Sequence, residues 1–251
     1  MASEYFEPRA PRALAHRGLA LDAPENTLLA FARAVAVGAQ YLETDVHVSH
    51  DGVAVVAHDP TLERIAGRDV AVGQLTMAEL RRIDLGHAQG LASLEESLDA
   101  LPDTRFNIDV KDEAAVDATI DAITRTRAES RVLVTSFSDR RRRKIAARLP
   151  GVVTSVGSAG VLRFRLAASL GSRTAALRAL RGARAVQVPE RVGALRLVTP
   201  RFVESAHQLG VEVHVWTVNE PADMTRLLDL GVDGLVTDRA DLALALISGR
   251  S

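Results

Sequence analysis

Cysteine is absent from the 251 residues. That excludes disulfides, thiolate nucleophiles and Cys-ligated zinc or iron–sulfur centres together. Long apolar runs are also missing. No segment approaches 18 uninterrupted apolar residues, and the first 18, MASEYFEPRAPRALAHRG, carry acids and two prolines where a secretory signal would carry an apolar stretch. The expectation is a soluble cytoplasmic protein with no stable membrane insertion. Net charge is small: 31 Lys+Arg stand against 32 Asp+Glu, formally −1. No global positive field exists to draw in a polyanion, so nucleic acid is not an expected partner. Lysine is scarce, only Lys111 and Lys144, so nearly all positive charge is arginine.

What remains is an ordinary globular composition, 47% hydrophobic and 25% charged, long enough for a full core. Short β-branched runs alternate with Ala/Leu/Arg helical stretches along the whole chain. Strands are expected near 12–16, 41–48, 105–110, 132–136, 152–156, 185–189, 212–217 and 234–237. Helices are expected over Thr27–Val37, Ala114–Arg125, Asp139–Leu149, Arg201–Leu209 and Ala222–Leu230. Runs such as Val132-Leu133-Val134 suit strands covered on both faces. Eight strand–helix units at about 31 residues each favour a (β/α)8 TIM barrel over an open doubly wound sheet. The expected organisation is one domain, 1–251, with a small insertion after the second strand at about 60–100. That insertion would hold helices at Met77–Ile83 and Leu94–Leu101 and pack at the barrel's catalytic end.

Chemistry concentrates at strand ends. In Tyr41-Leu42-Glu43-Thr44-Asp45-Val46-His47, Glu43 and Asp45 share one face by strand alternation. They form either a solvated face or, on a core strand, a carboxylate pair that needs a cation between them. Asp51-Gly52 signals a two-residue hairpin. With those two residues as the turn, paired positions sum to 103 and His58 lies directly opposite Asp45; a slip of one residue would turn His58 away. Its bland alternative is a surface histidine before Asp59-Pro60. On the next strand Asn107, Asp109 and Lys111 share a face, and the first strand ends in His16-Arg17-Gly18. The carboxylates Glu43, Asp45 and Asp109 are hard oxygen donors suited to Mg2+ or Ca2+. Zinc would call for a His-x-His cluster, which is absent; His47 is placed outside the set. Trp216, two beyond His214, is either core or a surface for substrate carbons, and Gln187 is a polar inward candidate on the sixth strand. Asn26 or Thr27 can cap the next helix, with Glu25 in support. Arg140-Arg141-Arg142-Arg143-Lys144 reads as the solvated face of an outer helix. The Arg-bearing segment 163–184 has the elements of an amphipathic membrane-surface helix, but Gly160, Gly171 and Gly182 favour ordinary outer helices.

Together these pieces resemble the glycerophosphodiester phosphodiesterase family. The resemblance rests on His16-Arg17-Gly18, Pro24-Glu25-Asn26-Thr27, Glu43-Thr44-Asp45-Val46, Asp51-Gly52 and His58-Asp59-Pro60-Thr61-Leu62-Glu63-Arg64. It continues through Asn107-Ile108-Asp109-Val110-Lys111, Ser136-Phe137, Trp216-Thr217-Val218-Asn219 and Gly231-Val232-Asp233-Gly234-Leu235-Val236-Thr237-Asp238. It implies a TIM barrel with a small insertion. His16 and His58 would be acid/base residues. Glu43, Asp45 and Asp109 would ligate one divalent cation, Mg2+ or Ca2+. Arg17 would contact the phosphate and Lys111 would be a cation near it; Gln187 and Trp216 stay substrate-site candidates on their strand positions alone. The family commonly has Glu at the third ligand position, where Asp109 is one methylene shorter. The implied reaction is hydrolysis of a small-molecule glycerophosphodiester to glycerol 3-phosphate and an alcohol, by attack of a neighbouring glycerol hydroxyl through a cyclic phosphate or by water directly. A phospholipase acting on intact lipids would need an apolar membrane-facing rim, which the sequence does not display. A non-catalytic phosphodiester-binding barrel is disfavoured because both histidines are present.

Overall fold

The computed structural model describes residues 4–250 of the chain. Eight parallel strands close on themselves: β1 (Arg12–His16), β2 (Tyr41–Val48), β4 (Arg105–Val110), β5 (Val132–Thr135), β6 (Val153–Val156), β7 (Ala185–Pro189), β10 (Glu212–Trp216) and β11 (Gly234–Thr237). The ring is sealed by β1 pairing with both β2 and β11. β3 (Ala54–Val56) runs antiparallel to β2, and β8 (Arg191–Val192) and β9 (Leu195–Arg196) form a two-stranded hairpin over the rim. The helices in chain order are α1 (Leu28–Ala36), α2 (Glu63–Ala66), α3 (Met77–Leu80), α4 (Leu94–Ala100), α5 (Ala115–Arg125) and α6 (Asp139–Arg148). They continue with α7 (Ser158–Leu170), α8 (Arg173–Leu180), α9 (Pro200–His207), α10 (Pro221–Asp229) and α11 (Ala240–Ser248). The expected barrel is therefore present, each expected strand within a residue or two of its place.

Strand alternation separates two cores. Ala13, Ala15, Leu42, Val46, Phe106 and Ile108 face outward and pack against helices, whereas Leu14, Tyr41, Leu133, Val153, Ala185 and Val236 fill the barrel. Tyr5 plugs the barrel's lower end, edge-on to Tyr41. Each fully buried Leu or Phe contributes roughly 1.5–3 kcal/mol. Gly234 is required by the inner packing: a Cβ there would lie 2.7 Å from the ring of buried His214.

Two expectations about this architecture need correction. The β2–β3 register is Val46↔Val56, His47↔Val55 and Val48↔Ala54, so paired positions sum to 102 and Asp45 faces Ala57, whose amide donates to the Asp45 carbonyl at 3.0 Å. The turn has three residues, because Ser49 N–H bonds Val53 O and Gly52 takes φ +81°. The Arg140–Lys144 run is not one solvated face. Arg142 is buried beside Asp139 and Thr154, and Arg141 turns inward to the Val110 carbonyl and Ser136. Val55 of β3 and, between β3 and α4, Leu62, Val72, Met77, Leu80, Ile83 and Leu91 form a small core of their own. Leu94 and Leu98 of α4 pack instead with the barrel's outer layer.

Candidate active site

At the carboxyl ends of the strands opens a cavity of about 490 Å³. His16, Arg17, Glu43, Asp45, His58, Asn107, Asp109, Lys111, Gln187 and Trp216 all line it, so every residue singled out as a site candidate comes to one mouth. Seven of them follow from β2 and β4 being parallel neighbours in register Glu43↔Asn107 and Asp45↔Asp109, with His16 opposite Glu43 on β1. His58 arrives differently. After β3 ends at Val56 the chain leaves strand geometry, so the one-residue register shift does not carry His58 to the wrong face. Its carbonyl is held by His47 Nε2 at 3.1 Å, and His47 Nδ1 is fixed by Asp112 at 2.8 Å.

Both candidate histidines carry a carboxylate at Nδ1. His16 Nδ1 lies 2.7 Å from Asp238, and His58 Nδ1 lies 2.7 Å from Asp59. A carboxylate there holds the Nδ1 proton and leaves Nε2 as the ring's exposed base. Each carboxylate is itself anchored. Asn219 donates to Asp238 at 2.7 Å while its Oδ1 accepts from the Asp238 amide. Arg64 donates to Asp59 at 2.5 Å and forks onto Glu25 at 2.6 and 3.1 Å; Glu25 accepts in turn from Arg17 at 3.0 Å. Salt bridges from Arg64 and Arg17 pull the Glu25 carboxyl down against the opposing effect of its burial. Asp59 and Asp238 are likewise held below the ordinary carboxylate range. For Asp238 the main cause is the hydrogen bond to His16.

The sequence reading missed Asp238, Asn219, Asp59 and Arg64 as parts of this machinery, although each lies inside a motif it quoted. Asn219 and Asp238 sit on separate strand ends, and only the β10–β11 pairing joins them. Asn26 is also more than a cap candidate. Thr27 caps α1, accepting from Ala30, whereas Asn26 donates to Asp45 at 3.1 Å and accepts from Thr44. Arg17 and Asn26 both adopt φ +56°, and a Cβ on neighbouring Gly18 would collide with Ala30 at 2.7 Å. The His16–Gly18 turn is thus pressed directly onto α1, which aims the Arg17 amide at Glu43.

Glu43, Asp45 and Asp109 are all buried. The Lys111 ammonium lies 2.7 Å from Asp45 and 2.8 Å from Asp109, and Arg17 Nε lies 3.3 Å from Asp45. Three carboxylates against two cations leave one surplus negative charge. Burial first, then the charges on Asp45 and Asp109, push the Glu43 carboxyl well above its ordinary range. Asp109 Oδ1 is buried with no hydrogen-bond partner. Among the described residues no three His, Asp or Glu side chains converge into a ready-made cage. The donor chemistry nevertheless fits a hard divalent cation: oxygen ligands, surplus charge and one unused buried lone pair. Glu43, Asp45 and Asp109 would hold it.

The opposite wall is apolar. Phe137 stands edge-on to Trp216 at 6.0 Å, with Lys111 5.9 Å above the Phe137 ring. Leu162, Val192 and Leu195 are also exposed at the mouth. This apolar rim is the feature the sequence did not display. Deeper in the barrel Gln187 donates to Asn107 at 3.0 Å and meets His214 at 3.1 Å, so it belongs to a polar layer crossing the interior.

The sequence model of the glycerophosphoryl diester phosphodiesterase family matches residues 16–242. "Probable glycerophosphodiester phosphodiesterase 2" of Mycobacterium tuberculosis is 43% identical over 240 residues, covering 95% of this chain and 91% of that one. A crystal structure of the glycerophosphodiester phosphodiesterase of Thermotoga maritima superposes with a TM-score of 0.75 at 26% identity, over 95% of this chain and 99% of that one. An Oleispira antarctica phosphodiesterase, solved in complex with its product sn-glycerol-3-phosphate, has a TM-score of 0.81 at 21% identity, over 95% and 97%. With the match running from His16 almost to the end of the chain, the protein belongs to the glycerophosphoryl diester phosphodiesterase family and is an enzyme, a phosphodiester hydrolase.

Proposed function

We propose that the protein hydrolyses glycerophosphodiesters to glycerol 3-phosphate and an alcohol, with His16 and His58 as its acid/base pair and one divalent cation, Mg2+ or Ca2+, at Glu43, Asp45 and Asp109. The observation that carries this reading is two imidazoles, each with a carboxylate at Nδ1, lining the same cavity as an acidic cluster. A phosphodiester is an anion that resists nucleophiles. Arg17 and Lys111 supply donors to its non-bridging oxygens. A bound divalent cation would add further charge neutralisation there. One imidazole Nε2 takes the proton from the attacking hydroxyl as the new O–P bond forms. The other, as imidazolium, gives its proton to the departing alcohol oxygen as the old P–O bond breaks. Attack by the adjacent glycerol hydroxyl gives a cyclic phosphate, which water opens with the two histidines exchanging roles. Asp59 and Asp238 hold both rings in the tautomer this exchange needs. Trp216 and Gln187 would meet the glycerol portion.

The test is release of glycerol 3-phosphate from glycerophosphocholine or glycerophosphoethanolamine with Mg2+ or Ca2+. Activity should disappear with a chelator and return with the metal. His58→Ala and His16→Ala should each lower turnover by roughly 100-fold or more with an unaltered circular-dichroism spectrum. Full turnover in His58→Ala would remove His58 from the chemistry, and chelator-insensitive turnover would remove the cation.

A further inference from the structure

α7 departs from what an outer barrel helix needs. Such a helix buries one face and shows water a polar one. Val161, Phe164, Ala167 and Ala168 supply the buried face. The other face carries Leu162, Leu166 and Leu170, exposed by 65%, 60% and 72%. Their i, i+4, i+8 spacing makes a stripe about 12 Å long. It begins at the cavity mouth, where Leu162 is part of the apolar rim. Leu177 of α8 is exposed as well. As expected, Gly171 ends α7 and Gly182 follows the end of α8, but Gly160 does not interrupt α7, which runs from Ser158 to Leu170.

The charge around the stripe is one-sided. Between Asp139 and Glu190 the chain has no acidic residue and twelve basic ones. Most exposed cations of α6 have acidic partners in or just before α5: Arg140 and Lys144 lie 4.0 and 3.4 Å from Glu113, and Arg148 pairs with Asp117, while Arg143 donates to the Asp139 carbonyl. On α7, α8 and the turn after them, Arg163, Arg165, Arg178 and Arg181 form no ion pair among the described residues. Exposed leucines flanked by unpaired arginines complement a surface that offers hydrocarbon beneath negative headgroups.

We propose that the leucine stripe of α7, with the arginines of α7 and α8, is a docking surface for an anionic lipid layer. Docking there sets the cavity mouth beside the headgroups while the barrel stays outside the bilayer. Among the described residues no helix is long and apolar enough to cross a membrane. The inference stands independently of the catalytic assignment.

The 251-residue protein is sedimented with vesicles of phosphatidylcholine alone and of phosphatidylcholine mixed with phosphatidylglycerol. Binding is expected to the mixed vesicles, weakening as salt rises. Leu166→Glu/Leu170→Glu, which touches neither core nor cavity, should weaken vesicle binding by about tenfold or more and leave hydrolysis of dissolved glycerophosphocholine unchanged. Arg163→Glu/Arg178→Glu should weaken binding comparably. No binding of the unaltered protein to mixed vesicles, or equal binding by the leucine variant, overturns the proposal. So does a dimer in solution that the leucine variant splits, since the occupant would then be a second copy of the chain. If glycerophosphocholine is not hydrolysed by any form, the catalytic reading fails while the vesicle result still decides the docking surface.

Discussion

Glu43→Gln should inactivate the enzyme and stabilise the cation-free protein. Glu43, Asp45 and Asp109 are buried together, and Lys111 and Arg17 neutralise only two of the three charges. At an effective dielectric of about 20, one uncompensated charge opposed over 5–10 Å costs roughly 2–3 kcal/mol. Gln fills nearly the same volume, and its carbonyl can still accept from the Arg17 amide, which now meets Glu43 Oε2 at 3.2 Å. The substitution therefore removes the repulsion and keeps the contact. Allowing for a weaker bond from a neutral acceptor, a net gain of about 1–2 kcal/mol follows, which raises Tm by roughly 2–8 °C for a chain of this size. The assay is calorimetric melting of both proteins in chelator at neutral pH, followed by a titration with Mg2+. The unaltered protein should gain stability on adding metal, and the variant should gain less. A variant that melts lower in chelator would refute the surplus-charge argument. A variant that gains as much from Mg2+ would remove Glu43 from the ligand set.

Arg64→Met removes the fork joining Asp59 to Glu25, and so loosens His58 and Arg17 together. The kcat should fall roughly 10- to 100-fold, with a displaced pH profile for kcat/KM and partial recovery in Arg64→Lys; a fall in stability with unaltered kinetics would make Arg64 structural only. Glu212, below the active site, is drawn down to about 2 from 4.5: burial opposes this, and hydrogen bonds from His214 and Arg12 outweigh it. A depressed carboxylate contributes stability above its unfolded pKa and loses it as pH falls through the folded one. Glu212 should therefore stabilise the fold by about 3 kcal/mol at neutral pH, lost between pH 4.5 and about 2. Glu212→Gln should flatten that part of a urea-melt pH series, and an unchanged acid limb would contradict the assignment.

Local pattern alone determined the alternation of strands and helices, because period-2 and period-3.6 burial are written directly into the order of apolar residues. It also determined which acids share a face, since Glu43 with Asp45, and Asn107 with Asp109 and Lys111, follow from strand geometry once the strands are known. His58 lines the same cavity as Asp45 although the expected β2–β3 register is off by one. The three-residue turn cost the pairing, and the irregular chain after Val56 restored the direction. Contacts between residues far apart in sequence were illegible for a different reason. Asp238 on His16, Arg64 across Asp59 and Glu25, buried Arg142 and the bare leucine face of α7 all depend on which elements the closed ring sets side by side. A one-dimensional pattern gives each residue's own side of its element. What stands opposite that side is fixed only when the barrel closes.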